Sequence, residues 1–308
     1  MSAARLSVGA PVTGGAARCW TPAIPSAFVA DPRFPPLLRA SADGVDFSAA
    51  RALVTGASAP RTIGHAIAQG LLAGGATVVI AGSRPLPQIT ATAEALVAQA
   101  GGGRAIPVRF DQGDPHACAA LIAWSRELGG FTHLYPFAAI HTPKPFFAID
   151  ADDYARAFAV NAIGVYQLCV RHARTRPRGE PWWVVVPLSP NDGRLRGSGL
   201  YSPTKQALRP IVIQGQHEVG ERHGGAYIGI DLPWTRTGMM AGLEDVLARA
   251  QDLGLRIFTP DQTAAVCLLA GTPAARTLAG TTLDAGGGFG AVHPHDFARL
   301  FARDRTDG

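Results

Sequence analysis

Ala52-Leu53-Val54-Thr55-Gly56-Ala57-Ser58-Ala59-Pro60-Arg61-Thr62-Ile63-Gly64 reads as a buried strand that passes through a glycine-bearing turn into a helix. Glycine at 56 permits a tight turn, and glycine at 64 lets the helix approach the sheet. Together they turn backbone N–H groups and a helix N-terminus toward a pyrophosphate. A glycine-rich loop after a strand is often only a loop. The order strand, turn, helix favours a dinucleotide site.

The pattern continues outward from this segment. Strand-like apolar runs recur at 77–81, 105–110, 133–137, 183–188, 227–232 and 281–284. Helix-like stretches occupy 64–73, 90–100, 115–128, 151–173, 203–223 and 261–269. Continuous apolar strands alternating with helices predict a parallel sheet covered on both faces. The expected fold is α/β: a doubly wound, parallel, seven-stranded Rossmann-type sheet in a single domain with an N-terminal extension. Its parts would be a Pro/Ala-rich arm over 1–47, the Rossmann-type dinucleotide-binding domain over 48–292 and a tail over 293–308. The arm carries Pro11, Pro22, Pro25, Pro32, Pro35 and Pro36 and no acid before Asp31. That favours an extended arm lying on the body, or a partly disordered one, over an organelle transit peptide.

A composition of 47% hydrophobic and 17% charged residues excludes disorder over the whole length. The apolar runs fall far short of the roughly 18 residues of a membrane span, so a soluble, cytoplasmic protein is expected. A net charge of +5 comes from 26 arginines and only two lysines, Lys144 and Lys205, scattered along the chain. This reads as base-composition drift, and no nucleic-acid partner is expected. Cys19, Cys118, Cys169 and Cys267 are far apart and lack a CxxC pair, which predicts buried thiols in a reducing compartment. No metal site is expected, and His293 and His295 are read as part of a solvated tail.

The second strand ends in Gly82-Ser83-Arg84, without the Asp or Glu that would hold a ribose 2′-hydroxyl. A hydroxyl and a guanidinium suit a 2′-phosphate, and Arg61 could add a second positive charge, so NADPH is favoured. Downstream, Ser189 ends an apolar strand, Tyr201 follows twelve residues later, and Lys205 stands four beyond it. That spacing puts Tyr and Lys on one helical face, where the cation would stabilise a phenolate.

With these residues the chain resembles the short-chain dehydrogenase/reductases over about 50–290. More narrowly, it resembles the ketoreductase domain of the fungal and mycobacterial type I fatty acid synthases. The matching segments are Phe110-Asp111-Gln112-Gly113-Asp114, Pro136-Phe137-Ala138-Ala139-Ile140, Leu188-Ser189-Pro190-Asn191 and Trp234-Thr235-Arg236-Thr237-Gly238-Met239.

The resemblance implies a catalytic tetrad: Ser189 on the carbonyl, Tyr201 as acid, Lys205 on the nicotinamide ribose and Asn161 fixing a water. It implies cofactor contacts from Gly56, Ser58, Arg61, Ile63 and Gly64; from Ser83 and Arg84; from Asp111 and Gln112; from Ala138 and Ala139; and from Tyr201, Lys205, Thr235 and Thr237. The stretch 238–258, with Met239, Met240 and Leu243, would be a substrate lid.

Two features depart from the synthase pattern. The glycine turn is one residue longer and contains Pro60, and Pro210 predicts a kink just after Lys205. The implied function is NADPH-dependent reduction of a 3-ketoacyl thioester, carrier- or CoA-bound, in lipid or polyketide assembly, by a homodimer or homotetramer. A reductase of a free ketone or quinone, and a non-catalytic NADPH-binding sensor, are the alternatives. The wider Tyr–Lys spacing usual for enoyl reduction in this superfamily disfavours that reaction. Arg194 and Arg196, in the loop between Ser189 and Tyr201, are expected to be exposed and to dock an acidic acyl carrier protein.

Overall fold

A computed structural model describes residues 6–16, 19–24, 31–141, 144–176, 179–195 and 198–300. Among these residues nine strands form one sheet: β1 (Ser7–Val8), β2 (Val12–Thr13), β3 (Arg51–Thr55), β4 (Thr77–Gly82), β5 (Arg104–Arg109), β6 (His133–Pro136), β7 (Trp182–Leu188), β8 (Gly225–Asp231) and β9 (Thr282–Asp284). Strands β3 to β9 are parallel and lie in the order β5-β4-β3-β6-β7-β8-β9. The order reverses between β3 and β6, and in doubly wound sheets ligands bind at that point, past the carboxyl ends of the strands.

Every residue of β7, Trp-Trp-Val-Val-Val-Pro-Leu, is buried, as expected for a strand covered on both faces. One face packs Ile67, Leu71 and Leu268 from the helices Ile63–Ala73 and Pro260–Ala270. The other packs Leu121, Val165 and Leu168 from Pro115–Trp124 and Gly164–Thr175. The β6–β7 ladder stops at Leu134↔Val184, while β7 runs on to Leu188.

The N-terminal segment is built into the body rather than laid on it. β1 and β2 pair antiparallel with β5 at one edge of the sheet. At the other edge, Arg33 donates to the Thr282 carbonyl at 2.7 Å and the Asp284 N–H donates to Asp31 at 2.8 Å. Trp20, Phe34, Leu37 and Phe47 enter the core. Two-residue strands carry no periodicity, so sequence reading missed them. The expectation of four buried thiols is corrected at Cys19, which is exposed; Cys118, Cys169 and Cys267 are buried. At the C-terminus, His293 and His295 are exposed, but Phe297 and Leu300 of the helix Pro294–Leu300 are fully buried. They form a small third core with Val246, Leu247 and Ala250. Residues 301–308 lie outside the described part. Among the described residues no helix is long and apolar enough to cross a membrane, and no group of His, Cys, Asp and Glu could hold a metal ion.

Candidate active site

The turn after β3 is held by threonines that sequence reading passed over. Thr62 caps the helix Ile63–Ala73 by accepting from the His65 N–H at 3.1 Å, and its hydroxyl bonds the Gly56 and Ala59 carbonyls at 2.9 and 3.1 Å. Gly56 has a φ of 72°, and a Cβ there would lie 2.9 Å from the Ala138 backbone. A Cβ on Gly64 would lie 2.9 Å from the Gly56 backbone, so this glycine is needed for the helix to meet the strand. Arg61 is the one non-glycine among the described residues with positive φ, at 57°. Such a conformation costs about 1–2 kcal/mol, and it closes the longer turn.

Thr55 and Gln112 tie this turn to its neighbours. The Thr55 hydroxyl donates to Gln112 Oε1 at 2.6 Å and accepts from the Ala138 N–H at 2.9 Å. Gln112 Nε2 donates to the Ala138 and Val160 carbonyls at 3.0 and 2.8 Å. The amide of Gln112 is therefore spent inside the protein and serves as a clip, not as a free group for a ligand. Thr235 is similar, with its hydroxyl bonded to the Pro233 carbonyl (2.9 Å) and Thr263 Oγ1 (2.8 Å). Thr237 is half-buried and begins the turn Gly238–Met240.

A dinucleotide fits the remaining surface. The helix Ile63–Ala73 has no acid in its first turn, and Ser58 packs beneath the turn against Gly82. Ser83 and Arg84 are exposed past β4. A cavity of about 250 Å³ is lined by Ser83, Arg109 and Asp111, with Leu6 and Ser7 of the N-terminal segment as its outer wall. Asp111 is paired with Arg156 at 3.2 Å. The segment Ala138–Ile140 follows β6 and lies directly against this turn, its Ala138 N–H bonded to Thr55.

Ser189, Asn161, Tyr201 and Lys205 converge at the same edge. Asn161 sits in a π turn, Ala159–Ile163, that interrupts the long helix expected over 151–173. Its Oδ1 accepts from the Ile140 N–H at 2.8 Å, and its Nδ2 donates to the Ile140 carbonyl at 2.9 Å and Thr204 Oγ1 at 3.1 Å. Asn161 thereby joins the segment after β6 to the helix Tyr201–Gln206. Such π turns recur at functional sites but leave no periodic signature. Lys205 is buried, donates to the Pro187 carbonyl at 3.1 Å and lies 5.6 Å from the Tyr201 ring centre. Burial pushes the Tyr201 phenol up to about 12 and the Lys205 ammonium down to about 7. His141 meets the Tyr201 ring edge-on at 5.7 Å and is hydrogen-bonded to the Ser198 backbone, with burial lowering its pKa. It directly follows the matched segment ending at Ile140, yet nothing in the sequence marked it.

The structure corrects the expected role of Arg194. Its guanidinium pairs with Asp192 at 2.6 Å and stacks 5.7 Å from both Phe289 and Phe297. It fastens the loop to the third core instead of standing free for a carrier, while Arg196 and Gly197 lie outside the described residues. In the expected lid stretch, Met240 and Leu243 pack on that core, and the Gly238 N–H donates to the Arg61 carbonyl at 3.2 Å.

A helix N-terminus at the switch point and a half-buried tyrosine beside a buried lysine along the same sheet edge define a nicotinamide-dependent oxidoreductase. Comparison with known proteins agrees: a family model described as Enoyl-(Acyl carrier protein) reductase matches residues 56–290. The chain belongs to the short-chain dehydrogenase/reductase family. It is 32% identical over 242 residues to the fatty acid synthase subunit alpha of Penicillium patulum, covering 73% of this chain. It is 35% identical over 233 residues to the fatty acid synthase alpha subunit stcJ of Emericella nidulans, covering 72%. The chain spans only 13% and 15% of the length of these relatives. Among solved structures, a short-chain alcohol dehydrogenase from Sinorhizobium meliloti has a TM-score of 0.71 at 26% identity, over 80% of this chain and 99% of that one. A short chain dehydrogenase from Burkholderia cenocepacia in complex with NADP has a TM-score of 0.68 at 27% identity, over 77% and 96%.

Proposed function

We propose that this oxidoreductase uses NADPH to reduce 3-ketoacyl thioesters, carrier- or CoA-bound, to 3-hydroxyacyl products in lipid or polyketide assembly. One observation carries the reading: Ser189, Tyr201 and Lys205 cluster at the nucleotide edge of a chain that is 32–35% identical to fungal fatty acid synthase alpha subunits. NADPH, when bound, supplies the hydride. The Ser189 hydroxyl holds the carbonyl oxygen, and Tyr201, kept protonated by burial, gives that oxygen its proton. Lys205 faces the Tyr201 ring and offsets negative charge as the proton leaves. A hydroxyl donor beside the tyrosine suits a carbonyl better than a carbon–carbon double bond, which supports ketone over enoyl reduction.

The buried thiols of Cys118, Cys169 and Cys267 fit a reducing cytoplasm. The test is NADPH oxidation with a panel of ketoacyl thioesters and free ketones. Thioesters should show at least tenfold higher kcat/KM. The reverse order would favour the second reading, a free-ketone reductase, which the name of the Sinorhizobium alcohol dehydrogenase supports.

Two further expectations follow from the surface. Arg84 is exposed at the end of β4 with Ser83 beside it, a pair suited to the 2′-phosphate. Arg84→Ala should weaken NADPH binding by roughly 1.5–3 kcal/mol, about 10- to 150-fold, and leave NADH unchanged in a titration of each cofactor. Equal losses would mean that Arg84 does not read the phosphate. Ile163 and Tyr166 are 48% and 49% exposed along an apolar groove, and a second copy of the chain is the proposed cover. Light scattering should give a dimer or tetramer, and a monomer at micromolar concentration would exclude it.

A further inference from the structure

The helix that begins at Tyr201 ends at Gln206, and a second one starts at Arg209 with Pro210 in its first turn. Proline there lacks only an N–H that a first turn leaves unpaired, and it prevents the two helices from fusing. The break swings Arg209 back toward the strand ends. Its Nε donates to Gln206 Oε1 at 2.7 Å, and its Nη2 donates to Asp231 Oδ1 at 2.6 Å and to the Ser189 carbonyl at 3.1 Å. Gln206 Nε2, steadied in this way, donates to the Ser189 and Asn191 carbonyls at 3.2 and 3.0 Å. The Asn191 N–H in turn donates to the Ser189 hydroxyl oxygen at 3.2 Å. On this side Gln206 and Arg209 hold the Ser189 carbonyl, and Gln206 shares the Asn191 carbonyl with the Ser202 hydroxyl, which donates to it at 2.6 Å. Asp231, at the end of β8, anchors the guanidinium with a side chain only 14% exposed.

We propose that Arg209, with Asp231 as its counter-ion, is a positioning residue that sets the Ser189 hydroxyl for the chemical step without touching the substrate. The inference rests on Ser189 holding the substrate oxygen. A planar guanidinium can serve Gln206, Ser189 and Asp231 at once from fixed directions, whereas a lysine ammonium at the same place cannot span all three. A displacement of about 1 Å at a reacting group costs on the order of a hundredfold in rate.

The test compares Arg209→Lys, which keeps the charge opposite Asp231 and loses the fork, in two backgrounds. Alone it should lower kcat by about 10- to 100-fold, with KM for NADPH and the melting temperature nearly unchanged. Combined with Ser189→Ala it should lower kcat no further, because the hydroxyl it positions is gone. An equal loss in both backgrounds would show that Arg209 acts elsewhere and overturn the proposal.

Amide exchange at Asn191, read without substrate or cofactor, gives an independent measure. Arg209→Lys should speed it at least tenfold, and an unchanged rate overturns the proposal even if the protein reduces none of the substrates tried. If Arg209→Lys does not fold, Asp231→Asn, which leaves the guanidinium in place but frees it, should give the same two signatures at smaller size, and their absence would overturn the proposal. Ser189→Ala as active as the parent would instead refute the proposed reaction.

Discussion

With Tyr201→Phe the protein should bind its nicotinamide cofactor as tightly as before and lose at least a hundredfold of its turnover. The substitution removes one oxygen and keeps the ring that stacks edge-on with His141 at 5.7 Å and lies 5.6 Å from Lys205 Nζ. The fold is therefore not at stake. Burial pushes the phenol up to about 12, so it is protonated at any working pH and is ready to give a proton. It gives that proton up easily only when positive charge is near, and Lys205, lowered to about 7 by burial, supplies that charge in its ammonium form. General acid catalysis contributes roughly 10²–10⁴-fold, which is about 3–5 kcal/mol of barrier. Single-turnover rates together with a cofactor titration separate the two halves of this expectation. A loss of less than tenfold would sink the assignment of Tyr201 as acid, and a parallel loss of cofactor affinity would show that the hydroxyl serves binding instead.

Some of this was legible from residue type and spacing alone. The parallel strands announce themselves because both of their faces are buried, so runs such as Trp182–Leu188 are apolar throughout. Tyr201 and Lys205 were found because four residues is one helical turn, and the break near Pro210 because proline cannot continue a helix. What the break does was not legible. Arg209 reaches Ser189 and Asp231, 20 and 22 residues away along the chain, and no local pattern encodes such a contact. The π turn that delivers Asn161 is invisible for a related reason, since a single five-residue turn is too short to set an apolar period of its own. Arg194 misled because a polar, glycine-rich loop looks solvated, while Phe289 and Phe297, which it covers, lie far downstream in the sequence.

The sharpest expected change in stability comes from acid, through His172 and His133. His172 is fully buried between Phe131 and Trp182, at 6.4 and 5.0 Å, and neither ring nitrogen has a partner among the described residues. Burial, helped by the charge of Arg176, lowers its pKa to about 3. Burial likewise lowers His133 to about 4, against the pull of the Gly271 carbonyl that Nε2 contacts at 3.0 Å. An unfolded histidine titrates near 6.5. Below that pH the unfolded chain takes up protons that the folded protein refuses, so stability falls as pH falls. The fall continues until the folded pKa values near 4 and 3 are passed. Each histidine contributes up to about 1.4 kcal/mol per pH unit across that window. His172→Leu removes one of the two together with its two unpaired buried nitrogens, so it should be no less stable than the parent at pH 7. Between pH 7 and 5 the loss of unfolding free energy, measured with urea, should shrink by about 2 kcal/mol in the variant. An unchanged pH dependence would mean that His172 takes up its proton in the folded state, and the burial argument for it would fail.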